Sequence, residues 1–177
     1  MGWSQHHPLG LIYLAPQSCY RGYTLIANNS GGHHAHLVDI EGHICHRWHA
    51  DAGISYAYLL PNGHLLLRTH PPKDAGPATG FPGSAASILE LDWDSNVVWQ
   101  YHNPMLHLDF ERLPNGNTLI LLWALLPADV ASQIRGGYRT DHAPRPMLGD
   151  VVQDVTPDGV VVTQWRSARP PGTLPMS

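Results

Sequence analysis

Apolar residues along this chain come in short runs, and turn residues separate the runs at nearly regular intervals. GYTLIAN, AHLVDI, HICHRW, YAYLL and HLLLRT come first, followed by ILELD, VVWQY, FERL, TLILL, VVQDV and VVVTQW. Runs of this length, rich in β-branched and aromatic residues and bounded by Gly, Pro, Asn and Asp, predict β-strands. One segment departs from the pattern. Pro127 to Gly137 (PADVASQIRGG) predicts a short helix, opened by Pro, with Asp129 in its first turn and closed by Gly-Gly. Two Pro/Gly-rich stretches, Pro71 to Ser84 and Arg139 to Met147, read as loops.

The runs repeat. LPNG occurs at Leu60–Gly63 and again at Leu113–Gly116, an offset of 53 (Leu60 to Leu113). The same offset, carried backwards without a gap, lays Asp39 on Asp92, Ile44 on Val97, Trp48 on Tyr101 and His49 on His102. HLVDIEGHICHRWH and LELDWDSNVVWQYH are one repeat written twice. VVQDVTPDGVVVTQWRS carries a third copy, with Asp154, Gly159 and Trp165 matched to Asp39, Gly42 and Trp48. Asn-Gly in each LPNG predicts a primed hairpin, with both central residues at positive φ, and the preceding Pro ends the strand before it. Asn62 and Asn115 are turn residues on this reading. Asp39, Asp92 and Asp154 are scaffold, and Trp48, Tyr101 and Trp165 are core between repeats. Trp93 and Trp99 are additional aromatics that also read as core.

Four-stranded antiparallel units at a period near 50 are the signature of β-propeller blades, with a β-sandwich the competing architecture. The expected fold is all-β: a partial β-propeller of about two and a half four-stranded blades with one short helix. A closed ring needs about four to eight blades, so the strands near GYTLIAN and VVVTQW are expected to be open edges or to pair with another chain. The boundaries read as an N-terminal extension over 1–21, a propeller domain over 22–167 and a tail over 168–177.

Composition narrows the classes. Hydrophobic residues make up 43% and charged residues 14%, as in a globular chain. The net charge of -4 argues against a nucleic-acid partner or an acidic membrane surface. No apolar run is long enough to span a bilayer, and MGWSQHHPLGLIYLAP lacks the pattern of a secretory leader, so the expected location is cytoplasmic. Two cysteines, Cys19 and Cys45, do not make a disulfide framework and read as free thiols.

In order, GYTLIA, HLVDIEGHICHRW, LLPNGHLLLR, ILELDWDSNVVWQYH, HLDFERLPNGNTLILL, IRGG and GDVVQDVTPDGVVVTQW resemble the bacterial arylsulfotransferase family from about Gly22 to Ser167. The resemblance implies a six-bladed propeller. It also implies transfer of a sulfuryl group from an aryl sulfate ester to a phenol, without a nucleotide sulfate donor or other cofactor. In that family the group passes through a histidine, aided by further histidines, an asparagine and an arginine at the propeller axis. The partners implied are an aryl sulfate and a phenol, with another chain or a second copy completing the ring. Two departures matter. The chain matches only the N-terminal part of the family, so later blades and their histidines are not in it. Where the family has His-His-Asp ahead of LPNGN, this chain has His107-Leu108-Asp109. The alternative to the enzyme is a truncated, non-catalytic propeller module that assembles through its open strand edges.

His107 and Asp109 are the candidate catalytic residues. At the offset of 53 they align with Ile54 and Tyr56, so the scaffold does not require them. Residues two apart on a strand share a face, which would let the Asp109 carboxylate orient and charge the His107 imidazole. Such an imidazole can stabilise the charge that develops on a sulfuryl group and its leaving phenolate, or attack sulfur. Arg135 and Arg139 are candidate substrate-binding residues, since guanidinium pairs well with oxyanions. His33, His34 and His36 form the other cluster. His34 and His36 share a strand face and imidazoles bind zinc or copper, but the sequence supplies no obvious third ligand, though His43, Cys45 or His49 could approach, and no metal is expected.

Overall fold

The computed structural model describes residues 11–27, 32–71, 81, 83–134 and 147–167. The fold is all-β with one short helix. The strands are β1 (Thr24–Ala27), β2 (His34–Val38), β3 (Ile44–His49), β4 (Tyr56–Leu59), β5 (Leu65–Arg68), β6 (Ser87–Leu91), β7 (Val97–His102), β8 (Leu106–Arg112), β9 (Thr118–Leu125), β10 (Leu148–Val155) and β11 (Val161–Arg166), and α1 (Ala128–Gln133) lies between β9 and β10. They form three antiparallel meanders, β1-β2-β3, β4-β5-β6-β7 and β8-β9-β10-β11, in which sequence neighbours are spatial neighbours. β1 and β11 both lie at the edge of their sheets. The chain divides into two compact units, residues 1–70 with 88–100 and residues 71–87 with 101–177.

The sheets are out of phase with the sequence repeat. The repeat starts with the strand before the aspartate turn, AHLVDI in one copy and ILELD in the next, whereas each four-stranded sheet starts at the strand before an LPNG turn, β4 in one and β8 in the other. Strands pair across the first LPNG loop, with Tyr56 opposite Arg68 and Leu59 opposite Leu65. β5–β6 and β9–β10 also pair, although more chain separates them than separates the unpaired β3 and β4 or β7 and β8. β3 instead ends at the turn over Asp51 and Ala52, where Gly53 takes a positive φ of 76°. Among the described residues the first sheet has no counterpart of β4 and β8, and the third sheet has four strands.

Five hairpins share one loop. In each, the first loop residue donates its N–H to a carbonyl four residues on and accepts an N–H from the residue three on: Asp39 with His43 and Gly42, Leu60 with His64 and Gly63, Asp92 with Asn96 and Ser95, Leu113 with Asn117 and Gly116, Thr156 with Val160 and Gly159. The closing residue alone is left-handed, at φ 86° for Gly42, 84° for Gly63, 70° for Ser95, 89° for Gly116 and 81° for Gly159. These are three-residue loops ending in a left-handed bulge residue, not primed two-residue turns. Asn62 and Asn115 stay at negative φ, and their Oδ1 atoms accept the N–H of His64 and Asn117 at 3.0 Å. The amide closes the loop from inside.

The aspartate turns work the same way with a charge. Asp39 accepts His43 N–H at 2.8 Å, and Asp92 accepts the N–H groups of Asp94 and Asn96. Both carboxyls are held below their usual range, Asp39 first by the backbone bond from His43 and Asp92 first by the Asn96 side chain. In the third sheet the equivalent position is Thr156, whose Oγ1 accepts Val160 N–H. Asp154 lies two residues earlier, inside β10, where it accepts Asn117 Nδ2 at 2.8 Å. The match of Asp154 to Asp39 is thus displaced by two residues. Ser95 is the one non-glycine at the closing position, and its hydroxyl accepts His49 N–H at 3.1 Å.

In the first unit, Ala35, Leu37, Trp48, Ala50, Ile54, Leu65, Leu67 and Leu91 form one buried cluster. Alternation along β2 sends Ala35 and Leu37 inward and leaves His34, His36 and Val38 half-buried. β5 is buried at all four residues. Each of its leucines contributes about 1.5–3 kcal/mol by leaving water. Trp48 is fully buried, capped by the Asp92 turn of the following sheet: its Nε1–H donates to Asp92 O at 3.1 Å and the Trp93 ring meets it edge-on. Trp93 also stacks on His46 at 3.8 Å, although 48% of its surface stays exposed. Tyr101 is half-buried in the second unit and donates to Gln153 at 3.4 Å. Trp165, read above as core, is 59% exposed, because nothing covers it among the described residues. Helix α1 follows Pro127 and carries Asp129 in its first turn as expected. Gly136 and Gly137 lie outside the described residues. Cys19 and Cys45 are free thiols.

Gly63 isolates the cost of the loop conformation, because a side chain there would touch nothing within 4 Å. Gly63→Ala is expected to destabilise the fold by about 1–2 kcal/mol, the penalty of an L-residue in the left-handed region, read as a shift in denaturant midpoint at unchanged slope.

Candidate functional site

His107 stands near the start of β8, where the strand is irregular. Leu106 lies opposite Leu122 and Phe110 opposite Ile120, so three residues, 107 to 109, face the single residue Leu121. Such a bulge breaks the alternation that would have put His107 and Asp109 on one face. The structure does not bring the two together. Asp109 is exposed, and its Oδ1 accepts the N–H of Phe110 at 2.9 Å. Leu108 between them takes φ 52°, unusual for its side chain, and donates its N–H to Gly83 O at 2.9 Å. Gly83 is at φ 80°, and a Cβ there would run into the Leu108 side chain.

The carboxylate expected beside His107 comes from a different strand. His107 is buried, with 1% of its side chain exposed, and its Nε2 approaches Asp150 Oδ1 at 3.3 Å. The imidazole stacks on the Trp123 ring, with centroids 3.6 Å apart and planes 9° apart. Asp150 and Trp123 are register partners across β10 and β9, so one cross-strand pair supplies both the carboxylate and the ring face. Phe81 flanks Trp123 at 6.1 Å. An imidazolium would be favoured here by the carboxylate and the π face and disfavoured by burial. Asp150 is half exposed, which leaves the pair open to solvent from one side. Arg135 and Arg139 lie outside the described residues.

One residue of functional type was missed. Arg68 ends the apolar run LLLR of β5 and is buried, with 7% of its surface exposed. Its Nε–H donates to Ser55 Oγ at 3.0 Å, and that hydroxyl donates to Arg68 O. Ser55 and Thr69 are buried beside it. The signal was present: at the offset of 53, Arg68 falls on Leu121, so it breaks the repeat as His107 does.

The histidine cluster lies on the first sheet. His34 and His49 are register partners across β2 and β3, with His34 Nε2 and His49 Nδ1 3.2 Å apart. His49 Nε2 meets Asp51 Oδ1 at 2.8 Å. His36 and His33 flank the pair, their rings 6.1 Å from His34 and 6.0 Å from His49. His34 has its pKa lowered, first by loss of hydration and then by the charges of Arg47 and His49. Among the described residues, three side chains bring ligand atoms within 4.8 Å of one another at Asp39, Glu41 and His43. There the Asp39 carboxylate is already engaged by the His43 N–H and ring, as part of the turn.

No model of a known protein family matches the chain, and no curated protein matches it. Among the described residues no helix is long and apolar enough to cross a membrane.

Leu108 tests the bulge. Histidine is several-fold enriched at positive φ over leucine, and half of the Leu108 surface is exposed. Leu108→His is expected to leave stability within about 0.5 kcal/mol of the parent or raise it, measured by chemical denaturation.

Proposed function

We propose that the chain is a β-propeller segment that works as an assembly module, closing a ring with a second copy of itself through its first and last sheets. The observation that carries this reading is Trp165. At the matching place in the first sheet, Trp48 is fully buried because the turn of the next sheet sits on it, whereas Trp165 is 59% exposed at the edge of the third sheet. The described residues of one chain form three sheets, and two copies of them make six, within the range of about four to eight that closes a propeller. The second copy offers the counterpart of the covering turn at Asp39–Gly42, beside a hollow lined by Pro16, Arg21, Tyr23 and Ile40. By the repeat, Asp39 O of the second copy receives the Trp165 indole N–H as Asp92 O receives that of Trp48. The two-fold repetition of this head-to-tail contact closes the assembly.

Light scattering on the purified chain is expected to give twice the mass of one chain. Trp165→Glu and Ile40→Glu are each expected to give folded monomers. A monomeric parent chain at tens of micromolar would end the reading.

A second reading, sulfuryl transfer from an aryl sulfate to a phenol, is favoured by His107: a buried imidazole with a carboxylate at 3.3 Å, at a position the repeat leaves free for Ile54. A ring-centred site takes donors from every blade, and each missing donor costs about 100- to 1,000-fold in rate. The chain kept monomeric is therefore expected to turn over weakly or not at all. Phenol release from a chromogenic aryl sulfate, with a second phenol as acceptor and no nucleotide, is expected to vanish in His107→Ala. Turnover unchanged by that substitution would defeat this second reading and leave the first intact.

A further inference from the structure

The cross-strand histidines of the first sheet have a geometry that the assembly reading does not use. His34 Nε2 and His49 Nδ1 face each other at 3.2 Å. A tetrahedral ion with bonds of about 2.0–2.1 Å holds two nitrogens about 3.3 Å apart. We propose that His34 Nε2 and His49 Nδ1 chelate a divalent transition-metal ion of the copper, nickel and zinc class, with Asp51 as the carboxylate behind His49.

Three features support the assignment. The first is the tautomer of His49. A carboxylate at Nε2 accepts an N–H, so Asp51 fixes the proton on that nitrogen and leaves the Nδ1 lone pair aimed at His34. A carboxylate on the far nitrogen of a ligating histidine is the usual support of such sites, and it raises the basicity of the ring. The second is rigidity. Ala35 and Trp48, the chain neighbours of the two ligands, are both fully buried, so the backbone carrying both histidines is locked by the core. The third is the departure from the repeat. At the offset of 53 His49 falls on His102, but His34 falls on Ser87 and His36 on Leu89. The second sheet keeps one imidazole, bonded there to Ser87 Oγ at 3.0 Å, and has no partner histidine at that place.

Without metal, His34 Nε2–H donates to His49 Nδ1. On loading, that proton moves to His34 Nδ1 and both facing lone pairs take the ion. The half-exposed His49 leaves the remaining coordination positions to water, with His36 on the same strand face as His34.

The full-length chain is titrated separately with copper(II), nickel(II) and zinc(II) chloride and followed by calorimetry. Copper is expected to bind most tightly. His34→Ala and His49→Ala should each remove the tightest equivalent, and Asp51→Asn should weaken it about 10- to 100-fold. His43→Ala, in the turn cluster, should leave it unchanged. Circular dichroism confirms the fold of each variant. Wild-type affinity in either His34→Ala or His49→Ala would overturn the proposal, as would the absence of any binding by the parent chain.

Discussion

The hairpin loop closed by a left-handed residue is the constraint on which the rest depends. It ties a carbonyl three residues from one N–H and an N–H four residues from one carbonyl, and so fixes the register of the two strands that leave it. Register decides which side chains face inward, since a slip of one residue would turn a strand inside out. At β2 it sends Ala35 and Leu37 to the core and holds His34 opposite His49. At β9 and β10 the sheet register holds Trp123 opposite Asp150, the pair that flanks His107. Core and candidate sites are set by the same ladder.

The loop also links one sheet to the next. The Asp92 turn closes the hairpin between β6 and β7 and at the same time covers the last strand of the first sheet. It offers a carbonyl to Trp48, a ring to His46 and a hydroxyl to His49 N–H. That double use accounts for Ser95. A glycine would fit the backbone better, as at Gly42 and Gly159, but only a side chain can receive the His49 N–H. The strain of a left-handed serine is offset by a hydrogen bond outside its own hairpin.

Strands, turn positions and the helix start were legible because their causes are local, namely runs of apolar residues, Asn-Gly and Asp turns, and Pro127. The turn type was not, since Asn-Gly predicts a primed two-residue turn and each loop holds a third residue. The grouping of strands into sheets was not legible either, because loop length does not mark it: the short β3–β4 and β7–β8 links separate sheets, while β5–β6 and β9–β10 pair across longer connections. The third aspartate was misplaced because a two-residue insertion moved the turn to Thr156. His107 was found because it breaks the repeat, but its partner was not. Alternation predicts Asp109, a bulge cancels alternation, and Asp150 is reached only through the long connection from β9 to β10. Arg68 broke the repeat just as visibly and was passed over inside an apolar run.

The reliance of Trp48 on a turn that comes later in the chain has a consequence for synthesis. The indole finds its hydrogen-bond acceptor 44 residues downstream, at Asp92. At about 5–20 residues per second, a ribosome makes that span in roughly 2–9 s. For that interval the first sheet emerges with its largest aromatic uncovered, and the order of completion is set by the direction of translation. A stall inside the window would hand a bare tryptophan to whatever chaperone or neighbouring nascent chain arrives first.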